Sequence, residues 1–349
     1  MDTLLQCLEE RGALNFFAAE EDIEECFKCH NEAYRMRQIR KWIYEKLADN
    51  FDVMTDLSKE LRRILREKLT IYTLEVKDCV DVAEQTKKLL LETPDGYLFE
   101  VPILERRNYA TVCLSTQVGC PVGCIFCASG KRFKRNLTSS EIIQSFLIAK
   151  RIVGNKLKNV VLMGMGEPLL NYSETVDFLK KLKKNCGISM RHVTLSTVGI
   201  PSKIRQLARS GVKPRLAVSL HFTSDEMRRS FMPGVRASIK DVLDAAYDYY
   251  METSRRVSIE YILFGAGVNS TPDDAGRLVS LLRFFEDVHV NLIPYNPVPG
   301  VDLKAPGYST IKTFANILKK AGLNVTIRWS QGKSENLACG QLAWKRGKN

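Results

Sequence analysis

The 349-residue sequence contains no run of 18 apolar residues, which excludes an ordinary membrane-spanning helix. It also lacks a basic segment ahead of an apolar core at its start. There MDTLLQCLEERGALNFF places acids at Asp2, Glu9 and Glu10, so no secretory signal is expected. The two absences predict a cytoplasmic protein. Thiols stay reduced in that compartment, so ten cysteines point to metal binding or catalysis before disulfides. A GxGxxG motif after the first predicted strand is missing too, which weakens a dinucleotide-binding reading.

What is present bounds the protein from the other side. A chain of this length that is 45% hydrophobic can form one large domain with a real core and a smaller one beside it. Lys and Arg number 52 against 40 Asp and Glu, a formal charge of +12. That excess favours a polyanionic partner such as nucleic acid, with plain solubility as the alternative.

Residues 1–75 alternate apolar and charged positions at helical spacing, as in IRKWIYEKLADNF and LSKELRRILREKL, and predict a small helical domain suited to holding RNA. Residues 76–108 carry β-branched and apolar residues in alternation around a PDG turn, and predict a β-hairpin linker. From 109 to 349, short apolar runs recur between segments long enough for a helix each: TVCLST, NVVLMG, HVTLST, RLAVSL, VSIEYILF, VHVNLIP and NVTIRW. This rhythm predicts an α/β fold with a parallel sheet, a complete or partial (β/α) barrel, with function at the C-terminal ends of its strands.

Directly after the first of those strands comes QVGCPVGCIFCASG, which spaces Cys120, Cys124 and Cys127 as C-x3-C-x2-C. Three thiolates on one short loop can converge on a soft metal centre, iron-sulfur or zinc. A structural zinc site would normally be closed by a fourth ligand, whereas three leave a position open for a substrate or cofactor. The spacing, the aromatic Phe126 before the third cysteine and the β/α repeat behind it resemble the radical S-adenosylmethionine (SAM) superfamily. Further motifs follow in order: RNLTSSEI, GMGEPLLN, VTLSTVGIP, AVSLH, NLIPYNP and ACGQL. Together they resemble the RlmN family of RNA methyltransferases across essentially the whole chain, and imply a partial radical SAM barrel.

That resemblance implies a [4Fe-4S] cluster on Cys120, Cys124 and Cys127, with SAM chelating the fourth iron and yielding a 5′-deoxyadenosyl radical. It assigns SAM contacts to Gly166, Glu167, Ser196, Ser219, Leu220, His221 and Asn296. Read from the residues alone, the glycines let backbone approach a ligand, Glu167 can accept hydrogen bonds from an ammonium, and a lone Ser or His at a strand end is an ordinary turn residue. The implied reaction is methylation at C2 of adenosine 2503 in 23S rRNA and of adenosine 37 in tRNAs. This adenine carbon is electron-poor and cannot attack a methyl group as a nucleophile. The resemblance implies that Cys339 takes a methyl from one SAM, that a radical removes hydrogen from it, and that the resulting methylene radical adds to C2. Cys113, seven residues before Cys120, matches the family thiol that releases the product by forming a disulfide, here implied to be with Cys339. The base that removes the C2 proton maps to Glu100, thirteen residues before Cys113. There the surroundings depart from the family, with Val101 where threonine is common and Tyr109 where arginine is common, so Glu105 is an alternative base. An electron donor such as flavodoxin or ferredoxin and a monomeric enzyme are the remaining expectations.

Other readings stay open at this point. A related group methylates adenine C8, but GEPLLN with Pro168 resembles the C2 group. A zinc-dependent RNA-binding protein could also combine basic charge with a cysteine triad. Activation of a glycyl-radical protein would leave Cys339 and Cys113 without a role. Cys26, Cys29 and His30 spell the C-x2-C-H of covalent haem attachment, discounted because nothing directs export, and Cys7, Cys79 and Cys186 read as incidental. Basic runs in KELRRILREK, KRFKRN and KKLKK are either solvated faces or RNA contacts.

Overall fold

Several helices start where the chain supplies a side-chain acceptor. In the computed structural model, which describes residues 14–83, 85–265, 267–298 and 300–329, α1 (Phe16–Cys29) begins on Asn15, whose Oδ1 accepts the Ala18 N–H at 2.9 Å. Helix α2 (Ala33–Arg40) runs into a π-helical segment, Lys41–Glu45, and Ser58 caps α3 (Lys59–Lys68). Leu61, Ile64 and Leu65 form the buried stripe of α3. Its basic face is largely paired within the unit: Arg63 bridges Glu60 and Glu67, and Arg66 bridges Asp52. Those guanidinium groups therefore belong to a solvated, self-neutralising face.

The helical unit is joined to the rest by a shared core and by buried polar contacts. Phe16, Phe17, Ile39 and Leu65 belong to the same apolar cluster as Ile143 and Phe146 of α4 (Ser139–Val153). Buried Glu20 accepts from Tyr44 Oη at 2.6 Å, Arg40 Nε at 2.7 Å and Asn185 Nδ2 at 2.9 Å. The Gln144 Oε1 accepts the backbone N–H groups of Thr73 and Leu74.

A single ten-stranded sheet organises everything that follows. Strands β1 (Glu75–Ala83), β2 (Thr86–Glu92), β3 (Leu98–Glu105) and β4 (Ala110–Cys113) are antiparallel neighbours. The predicted linker is thus a pair of hairpins hydrogen-bonded onto the barrel sheet, with the PDG turn closed by the Gly96 N–H on the Thr93 carbonyl at 2.8 Å. From β4 the sheet continues in parallel through β5 (Leu157–Leu162), β6 (Val193–Thr197), β7 (Arg215–Ser219), β8 (Val257–Leu263), β9 (Val288–Pro294) and β10 (Asn324–Ile327). Every parallel connection carries a helix: α4, then α5 (Tyr172–Asn185), α6 (Pro201–Ala208), α7 (Asp225–Phe231) with α8 (Ile239–Thr253), α9 (Pro272–Leu282) and α10 (Tyr308–Lys320). Among the described residues β4 and β10 do not pair, which makes this the expected partial (β/α) barrel.

Strand alternation sets what the barrel interior offers. In β8 the side chains of Val257, Ile259, Tyr261 and Leu263 are buried, while Glu260 and Ile262 face the inner cavity. No helix among the described residues is long and apolar enough to cross a membrane.

Candidate active site

The cysteine loop leaves β4 and is clamped on both sides. Gly119 has φ 76°, and a Cβ there would overlap the Arg132 carbonyl oxygen, so the KRFKR segment passes directly over the loop start. On the other side, Gly234 donates to the Val122 carbonyl at 2.8 Å and Ile125 donates to the Phe231 carbonyl at 2.9 Å. A Cβ at Gly234 would come within 2.6 Å of Val122 Cα. We expect Gly119→Ala to lower soluble yield and displace the loop. Positive φ alone costs about 1 kcal/mol for a residue with a Cβ, and the overlap adds to it. Thermal melting beside iron content after anaerobic reconstitution would check this, with both reduced.

Val122, Cys124 and Phe126 pack with Phe222, Met232, Val235, Phe264 and Tyr295 in an apolar cluster separate from the main core. Cys120 and Cys127 lie at its margin, partly buried. Burial pushes the Cys120 thiol up to about 12 and Cys124 well above the usual thiol range, and the neighbouring thiols raise each further. Such groups are neutral alone and are held as thiolates only by a bound cation.

Across from the loop, the strand ends complete one cavity, which Cys120, Cys124 and Cys127 line together with Gly166, Glu167, Ser196, Ser219, His221 and Asn296. Nine of the predicted site residues therefore meet here. Leu220 does not line it; its side chain is fully buried in the main core. Among the described residues no His, Cys, Asp or Glu group is gathered closely enough to hold a metal ion as it stands. What fits an iron-sulfur cluster is the donor chemistry: three thiols on one cavity wall, apolar surroundings, and no acidic side chain in the loop that would favour a hard cation.

The geometry gives the glycines a packing role as well as a place on the cavity wall. A Cβ at Gly166, where φ is 104°, would come within 2.6 Å of Gln117 Cβ, and one at Gly164 within 2.6 Å of Ser115 Oγ. These residues are glycine because the loop after β5 presses on the chain leaving β4. Glu167 is likewise a brace: its Oε2 accepts the Val198 N–H at 2.7 Å and its Oε1 the Leu169 N–H at 3.0 Å, tying that loop to the end of β6. Burial raises it to about 6 despite those bonds. The Thr197 side chain bonds to it as well.

His221 sits at φ 62°, and its Nδ1 accepts the Ile262 N–H at 3.2 Å. Burial, reinforced by the nearby Arg228, lowers it to about 3, so the ring is neutral with its proton on Nε2, a donor. Phe126 meets it edge-on at 5.4 Å between ring centroids.

Sequence reasoning missed two groups. Arg228 on α7 is 1% exposed, and its guanidinium donates to the Val198 carbonyl and, through Nε at 3.2 Å, to the Leu220 carbonyl. It ties the ends of β6 and β7 together beneath the cavity. Burial lowers it to about 10. Glu260 lines the cavity and accepts from Asn291 Nδ2 at 2.7 Å and Ser258 Oγ at 3.1 Å; burial raises its pKa. The only sequence signal for Glu260 was an acid interrupting the apolar run VSIEYIL.

Glu100 and Cys113 lie beside the cavity without lining it. On β3 the core stripe is Phe99, Val101 and Ile103, so Glu100 points to the opposite face, where Lys88 Nζ pairs with its Oε1 at 2.9 Å. Its Oε2 is buried with no hydrogen-bond partner among the described residues, and burial raises its pKa. The Ser115 hydroxyl donates to the Glu100 carbonyl at 3.2 Å, which brings this strand to the chain leaving Cys113. Glu105 ends β3 in register with Ala110. Cys339 lies outside the described residues. The haem-like CFKCH turns out to be the end of α1, where His30 Nδ1 meets the Cys26 carbonyl at 2.8 Å.

An open barrel with a thiol-lined mouth defines a radical SAM enzyme, and residues 114–265 match the Radical SAM superfamily. Residues 18–71 match the ribosomal RNA large subunit methyltransferase N-terminal domain. The chain is 43% identical over 320 residues to the "Probable dual-specificity RNA methyltransferase RlmN" of Thermotoga neapolitana, covering 90% of this chain and 92% of that one. It is 41% identical over 328 residues to the protein of the same description from Clostridium perfringens, covering 92% and 94%. A crystal structure of a radical SAM methyltransferase from Sphaerobacter thermophilus superposes with a TM-score of 0.87 at 38% identity, covering 93% of this chain and 97% of that one. The chain belongs to the RlmN family of radical SAM RNA methyltransferases. Membership implies a [4Fe-4S] cluster and SAM.

Proposed function

We propose that this enzyme methylates C2 of adenosine 2503 in 23S rRNA and of adenosine 37 in tRNAs, as a cytoplasmic monomer reduced by flavodoxin or ferredoxin. The observation that carries the reading is the single cavity in which the three loop thiols face the polar strand ends. Cys120, Cys124 and Cys127 would hold the cluster, which supplies reductive cleavage of SAM. Gly166, Glu167, Ser196, Ser219, His221 and Asn296 would hold SAM, with Leu220 contributing through its backbone. Residues 109–349 form the catalytic domain in this reading, 76–108 join it to the accessory domain of residues 1–75, and that domain helps to hold RNA. The paired arginines of α3 carry less of that grip than the run KELRRILREK suggests.

Cys339 accepts a methyl group as its thiolate; loss of one hydrogen atom from that methyl to the radical that SAM supplies would leave a methylene radical that adds to C2 and joins the adenine to the sulfur. Once the adduct has lost one electron, which would return to the cluster, the Cys113 thiolate attacks the tether sulfur: the sulfur-sulfur bond forms, the carbon-sulfur pair stays on the carbon, and a solvent proton completes the methyl group. Glu100 takes the C2 proton. Its support is a buried carboxylate with one oxygen unpaired, raised by burial yet held in place by Lys88. The test is mass spectrometry of nucleosides from 23S rRNA and tRNA treated with reduced enzyme and SAM. We expect 2-methyladenosine from both; 8-methyladenosine would reassign the carbon, and unmodified RNA beside stoichiometric zinc would reassign the protein.

A further inference from the structure

A stacked aromatic pair stands on the surface beside the cavity. Tyr308, the first residue of α10, is 65% exposed, and Trp329, two residues past β10, is 46% exposed. Their ring centroids are 5.5 Å apart with the planes 18° from parallel. Stacking of this kind usually accompanies burial; here it builds a rigid apolar slab in water.

Its surroundings indicate what it meets. Lys312, one turn along α10, holds its ammonium 5.3 Å from the Tyr308 centroid. Arg328, next to Trp329 in sequence, lines the cavity itself. The slab thus has a cation at its Tyr308 end and stands one residue from the cavity wall, where Arg328 faces Glu260 at 4.0 Å. A flat π-face flanked by positive charge fits an unpaired nucleobase with its phosphates, since stacking tolerates any base and the cation meets the backbone. An enzyme that draws one adenosine out of its stack also has to accommodate the neighbours it unstacks.

We propose that Trp329, backed by Tyr308, is the stacking platform for an RNA base adjacent to the target adenosine, with Lys312 toward a flanking phosphate. This rests on RNA being the substrate.

The test uses the full chain carrying its cluster and SAM, with 5-fluorotryptophan in place of tryptophan and the Trp329 signal assigned through Trp329→Phe. Titration with a single-stranded oligonucleotide containing the target adenosine should shift the Trp329 fluorine resonance and leave that of Trp42 in place. Trp329→Ala should weaken RNA binding by roughly 5- to 100-fold, Tyr308→Ala by less, and Trp329→Phe by little, with SAM affinity equal in all three. An unmoved Trp329 resonance under saturating RNA, or wild-type RNA affinity in the Tyr308→Ala/Trp329→Ala protein, would overturn the platform while methylation by the wild type continued. Failure of the wild type to methylate RNA at all would instead overturn the functional reading, and the platform with it.

Discussion

Replacing Cys113 with Ala is expected to leave RNA covalently attached to the protein. In the proposed sequence the adenine is joined to Cys339 through a carbon-sulfur bond, and only a second thiol can break it by becoming the disulfide partner. Without Cys113 the chemistry runs forward and stops one step short, so turnover falls to at most one event per chain. The adduct should appear as a band of raised mass that nuclease shortens, and Cys113→Ala/Cys339→Ala should abolish it. Cys113 is buried at the end of β4, where the antiparallel and parallel parts of the sheet meet, and removing one sulfur there costs about 1 kcal/mol in packing. Misfolding is therefore not the expected outcome. Denaturing electrophoresis before and after nuclease treatment measures the effect directly.

Cys124→Ala should have the other large effect. It removes the most enclosed of the three loop thiols, set among Phe126, Phe222, Phe264 and Tyr295. Reconstituted iron should fall well below the wild-type content, the brown colour should fade, and methylation should drop by at least about a thousandfold, because the uncatalysed reaction has no comparable route to an electron-poor carbon. Stability should change by only about 1 kcal/mol, since the deleted group is small. Measuring iron, visible absorption and melting temperature on one preparation separates loss of the cluster from loss of the fold.

The parts of the fold that could be read from sequence are those set by local pattern. Parallel strands covered on both faces are written as near-continuous apolar runs, so VSIEYILF and VHVNLIP announce themselves. The spacing of Cys120, Cys124 and Cys127 is equally local. Residues whose meaning depends on distant partners were not legible. Nothing in DEMRRSF distinguishes Arg228, buried against the ends of β6 and β7, from exposed Arg229 beside it. Gly164 and Gly166 were read as a ligand's approach route, and nothing local announced that their missing side chains also make room for Ser115 and Gln117, some fifty positions earlier. The hairpins of residues 76–108 were visible as alternation, but alternation does not say which sheet they join; pairing of β3 with β4 decides that. The basic run of α3 carried part of its own explanation, since Glu60 and Glu67 lie at helical spacing from Arg63, whereas Asp52 reaches Arg66 only through the fold.

The central claim is that Cys339 carries the methyl group to the adenine after losing one hydrogen from it. Trideuteromethyl SAM tests this most directly. If the methyl rests on Cys339, one deuterium is removed before the carbon joins C2, and the last hydrogen of the released methyl comes from solvent. The isolated 2-methyladenosine should then carry two deuterium atoms, and RNA freed from trideuterated enzyme should never carry three. A product with all three deuterium atoms would mean that the methyl passed intact to the base, and would contradict the account.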